Sequence, residues 1–140
     1  MNFIKKWPNF APQLLSVLRI VAAAVFILNG TLKLFSFPVE IPGFPPPLLS
    51  QMWFAGVLET FGGILLLFGS YTRPVAFLVA GEMAVAYFQA HLPQSFWPML
   101  NQGMPALLYS FIWLYFSAAG GGPWSFDAWC ERRKANRVSQ

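Results

Sequence analysis

Glu59 and Glu82 each stand alone in a 17-residue stretch that contains no other charge, Met52 to Phe68 and Pro74 to Ala90. Stretches of that length and apolarity have the form of membrane-spanning helices, in which a carboxylate at mid-depth costs roughly 2.5 to 3.5 kcal/mol on insertion scales. Such a group handles protons or polar headgroups, and it needs a partner inside the folded protein. Arg19 lies in a third apolar run, Leu14 to Phe35. By helical rise it sits about 8 Å from the end at which Glu82 sits about 12 Å deep, whereas Glu59 is about 10 Å from the opposite end. The depths predict that Arg19 approaches Glu82, with Glu59 on the same interior.

The elements that must position these groups are four apolar runs, 14–35, 52–68, 74–90 and 103–119, the last without a charge. At 140 residues, 56% hydrophobic, 10% charged and with mean hydropathy +0.52, the chain is too apolar for a soluble domain, whose charged share is nearer one quarter. The expectation is a single all-α domain, a polytopic membrane four-helix bundle whose natural partner is the lipid bilayer. The segment from Ser36 to Gln51 holds Pro38, Pro42, Pro45, Pro46 and Pro47 among apolar residues, and reads as a Pro-rich outer loop laid over the bundle as a lid.

Charge distribution sets the orientation. Four spans put both termini and the link between the second and third helices on one side, which collects Lys5, Lys6, Arg73, Arg132, Arg133, Lys134 and Arg137. The opposite segments, 36–51 and 91–102, carry no lysine or arginine, so both termini are expected in the cytoplasm. The basic residues are flanks, and no nucleic-acid partner is expected. The first run extends past the length of a signal-peptide core, arguing for a retained span. Cys130 is the single cysteine and His91 the single histidine. These counts leave no CxxC pair and no two-histidine haem ligation, and no metal site is expected.

Within the first helix Arg19, Phe26, Gly30 and Lys33 share one face. Gly56, Gly62 and Gly63 surround Glu59, which reads as a close-packing seam. Near the outer end Lys33, His91, Asn101 and Gln102 offer hydrogen-bond donors, and Phe96, Trp97 and Tyr109 offer an aromatic enclosure, the mixture a ligand pocket requires. The alternative is that Lys33 snorkels to the interface while His91 and Asn101 cap helix ends.

Several short motifs, taken in order, resemble one known family. They are R-x10-G-x2-K from Arg19 to Lys33, ETFGGILLLFGSYTRPVA from Glu59, HLPQSFWPMLNQG from His91, LLYSF from Leu107 and GGGPWSFD from Gly120. Together they are similar to the DoxX family of small bacterial inner-membrane proteins. One departure is Met104, which stands where many members carry an acidic residue. The resemblance implies a four-helix inner-membrane protein, sometimes a small subunit of a thiosulfate to quinone oxidoreductase or a partner in redox and detoxification complexes. A quinone is then the expected ligand of the outer pocket, with a redox subunit as partner and a homo-oligomer left open. The competing reading is an interaction module whose buried charges serve as structural glue. No self-contained catalytic centre is identifiable.

Overall fold

The computed structural model describes residues 6–138; Lys5 lies outside them. Helices and connecting turns make up the fold, with no strand among the described residues. Helix α1, Ala11–Phe35, follows a single 3-10 turn, Trp7–Phe10. It starts three residues before the expected boundary because Pro12 occupies its first turn, where a missing N–H removes no helix bond. Helix α2 spans Gln51–Phe68 and contains a π-helical turn, Leu58–Gly62. Its first turn is capped by Ser50, whose hydroxyl accepts the Trp53 amide at 3.2 Å.

Helix α3, Thr72–Ala86, runs on through a second π-helical turn, Tyr87–His91. It begins two residues early because the Asp127 carboxylate accepts the Tyr71 and Thr72 amides at 2.9 and 2.8 Å, a cap supplied from far along the chain. Helix α4, Met104–Ala119, carries Pro105 in its first turn and stops at Gly120, whose φ of +80° favours glycine. Helix α5, Phe126–Val138, buries none of its residues. With its 3-10 lead-in, α1 is long and apolar enough to cross a bilayer, as is α2; α4 is apolar but shorter. Residues 36–50 form turns and bends with no helix.

Helices α1 and α2 meet through glycine. A Cβ on Gly30 would lie 2.5 Å from the Thr60 amide nitrogen and 2.9 Å from the Gly56 carbonyl oxygen, and one on Gly63 would lie 2.7 Å from Ile27. Gly62 turns the other way, toward Val79 of α3. The backbones therefore approach as closely as small residues allow. Helices α1 and α2 form the most extensive pairing and α3 with α4 the next, and Phe26 of α1 reaches α4 with its ring 5.3 Å from Tyr109 and 5.6 Å from Trp113. Phe26, Leu66, Val79, Trp113 and Phe116 are fully buried, while Val21, Phe61, Phe77, Phe88 and Phe111 face outward. An apolar exterior of this extent is what a lipid environment covers.

Gly30→Ala should lower stability in detergent by about 1 to 3 kcal/mol through overpacking. Gly81→Ala should instead raise it by about 0.4 to 1 kcal/mol, since its Cβ would meet nothing within 4 Å and the position is helical. Equal thermal melts for both variants would contradict the seam.

Candidate functional site

The buried charges separate into two places. Arg19, fully buried, does not meet Glu82. Its Nε donates to the Gly121 carbonyl at 2.8 Å, Nη1 to Leu66 at 2.6 Å and also to Leu67, and Nη2 to Trp124 at 3.1 Å. Leu66 and Leu67 belong to the last turn of α2, whose carbonyls carry the negative end of the helix dipole; the Leu66 carbonyl also accepts the Gly69 amide at 3.1 Å. A planar fork with several donors suits several acceptors arranged around it. The expected Arg19–Glu82 pair is thus replaced by four backbone carbonyls. Trp124 adds a bond from its amide to Ser16 at 3.2 Å, and the Asp127 amide one to Gly69 at 3.0 Å.

The second place is level with the glycine seam. Lys33 Nζ of α1 donates to Glu59 Oε1 of α2 at 2.6 Å, and the Glu59 side chain is 1% exposed. Glu59 lies inside the π-helical turn of α2; such turns re-aim side chains and recur at functional sites. Glu82 of α3 stands at the same level. Gly62 faces Val79, and in antiparallel helices three residues back from Gly62 match three residues on from Val79. Glu59 Oε2, Thr60 Oγ1 and both Glu82 carboxylate oxygens are buried and have no hydrogen-bond partner among the described residues. Lys33 thus pairs with one oxygen of Glu59 alone, and the remaining oxygens can accept hydrogen bonds from an O–H or N–H donor.

The outer-loop candidates are divided. His91 Nδ1 lies 2.9 Å from the Asn101 carbonyl oxygen. The buried Asn101 side chain donates to the Ser95 carbonyl at 2.8 Å and accepts the Gly103 amide at 2.7 Å. This is the capping role, and it closes the 91–103 loop; Gly103 is required there because a Cβ would meet Asn101, His91 and Tyr87 within 2.8 Å. Phe96 and Trp97 are 73% and 64% exposed, and Gln102 is exposed. Trp97 lines an open apolar groove of about 470 Å³ with Met99, Leu100, Met104, Leu107 and Leu108. Tyr109 turns inward instead and stacks on Trp113 at 6.2 Å. The structure therefore joins His91 to Asn101, and Lys33 to Glu59, but does not gather the seven candidates into one enclosure.

The DoxX family model matches residues 14–92, more than half of the chain and the part that carries Arg19, Lys33, Glu59 and Glu82. An uncharacterized protein of Haemophilus influenzae is similar, 42% identical over 131 residues that cover 91% of this chain and 96% of that relative. No solved structure matches. The chain belongs to the DoxX family and is a membrane protein.

The Lys33–Glu59 pair was not anticipated: from sequence Lys33 is an outer-pocket donor or a snorkelling residue, and the structure turns it inward to Glu59. Asp127, Ser16 and Ser125 were missed. The Ser125 hydroxyl accepts the Ala128 amide at 3.2 Å, and only the SFD sequence ahead of a helix hinted at that cap.

Replacing Arg19 by lysine leaves carbonyls unpaired, at about 1 to 3 kcal/mol each. In Arg19→Lys the amides of Trp124 and Asp127 should exchange hydrogen faster than in wild type. Wild-type protection at both would contradict the Arg19 node.

Proposed function

We propose that the chain is a four-helix, multi-pass protein of the bacterial inner membrane with both termini cytoplasmic, and that it binds a quinone-class ligand as an accessory subunit of a redox complex. The orientation rests on seven basic residues on one side and no lysine or arginine in segments 36–51 and 91–102. Ligand binding rests on one observation: the oxygens left unpartnered at Glu59, Thr60 and Glu82 beside Lys33. These are mainly acceptors. They complement the hydroxyl groups of a quinol, the reduced form, better than the carbonyls of a quinone. Phe26 lies about two helical turns from Lys33 on the same face and joins Tyr109 and Trp113 in a ring cluster beside which an aromatic head packs. The Pro-rich segment 36–50 would lie over the outer end.

The competing reading, a structural module for a partner protein, draws support from Arg19, whose bonds all go to the chain's own backbone. A binding measurement separates the two. In nanodiscs, wild type should bind an isoprenoid quinol more tightly than the corresponding quinone. Glu59→Gln combined with Glu82→Gln should weaken quinol binding by roughly tenfold or more, the equivalent of one hydrogen bond to a charged group. Absence of quinol binding by wild type, or equal binding by the double variant, would reject the ligand reading in favour of the module.

A further inference from the structure

Helix α5 and the turn before it form a second site, independent of the buried carboxylates. Trp124, Phe126 and Trp129 are 58%, 50% and 42% exposed, and with Phe68, Pro123 and Arg132 they line an open groove of about 590 Å³. The groove starts at the end of α2 and has an apolar floor. Its rim is cationic. Arg132 Nη1 donates to the Pro123 carbonyl at 3.2 Å, which holds the guanidinium across one edge. Arg133 lies 4.3 Å from the centre of the Trp129 ring, in cation–π contact. Lys134 and Arg137 follow on the same helix.

Of the two acidic residues on α5, Asp127 is already engaged by the Tyr71 and Thr72 amides, which leaves Glu131 against four cations. At about 100° per residue Phe126, Trp129, Arg133 and Arg137 fall on one face, so two aromatic rings are followed by two guanidinium groups along it. Asp127 fixes the start of α5 to the turn between α2 and α3, the position at which the apolar helices end. An aromatic floor at the end of the spans beneath a row of cations matches an anionic lipid, with its chain on the floor and its phosphate at the rim.

We propose that the Phe68–Trp124–Trp129 groove binds an anionic phospholipid, its phosphate held by Arg132 and Arg133. Lys134 and Arg137 supply further positive charge along the bilayer surface. The lipid would fasten α5, which buries nothing of its own, in the plane of the interface.

The test uses the full chain in a mild non-ionic detergent and native mass spectrometry with phosphatidylglycerol and phosphatidylcholine of matched chains. Wild type should retain phosphatidylglycerol at least fivefold over phosphatidylcholine. Arg132→Gln with Arg133→Gln should lose about fivefold per arginine, with the double variant still folded because the Asp127 anchor remains. Free glycerol phosphate at equal concentration should not displace the lipid. Equal retention of the two lipids by wild type overturns the proposal whatever the variant does. Undiminished selectivity in a folded double variant, or displacement by glycerol phosphate, overturns it as well.

Discussion

The Arg19 guanidinium ties three separated segments to one point: α1, the last turn of α2, and the glycine-rich turn between α4 and α5. An arginine with no access to solvent must have every donor engaged or the desolvation of its charge goes uncompensated. Here the compensation comes from two carbonyls at the end of α2 and two in the turn between α4 and α5. Gly69 is adapted to the same node. Its φ of +69° reverses the chain, and a Cβ there would lie 3.0 Å from Arg19 Cζ and 2.5 Å from Ser125. From this point Asp127 caps α3, and α5 is held to the turn between α2 and α3.

With one end fastened by Arg19, the second charged group is free of that structural task. Lys33, Glu59 and Glu82 come from three helices, and their spacing is set by the glycine contacts of α2 with α1 on one side and α3 on the other. The two uses of buried charge differ in completeness. Each of the three Arg19 guanidinium nitrogens has at least one carbonyl partner, whereas the carboxylates retain unpartnered oxygens. That asymmetry separates a charge whose bonds are made within the fold from carboxylates with bonding capacity left over, and it is the basis of the proposed donor-bearing head group.

The helices were legible in the sequence because uninterrupted apolar runs broken by Pro and Gly leave few alternatives, and the ends of α2 and α4 fell within a residue of expectation. The charge partners were not. Depth along a helix places Arg19 beside Glu82, but backbone carbonyls compete for a guanidinium and leave no mark in a sequence. Lys33 was read as reaching outward to the interface, although the same flexible stem reaches inward when a carboxylate lies across a glycine seam. The π-helical turns around Glu59 and His91 carry no sequence signature and shift each side chain's direction relative to an ideal helix. The aromatic loop residues Phe96 and Trp97 obey the commoner rule for such residues near an apolar surface and face outward.

The account depends on the two charged groups being separate, and paired double-mutant cycles in detergent test that most directly. Lys33→Met with Glu59→Gln should show a coupling energy of about 1 to 3 kcal/mol, as residues in one buried ion pair do. Arg19→Lys with Glu82→Gln should be additive within about 0.5 kcal/mol. Strong coupling between Arg19 and Glu82, together with additivity between Lys33 and Glu59, would contradict the account.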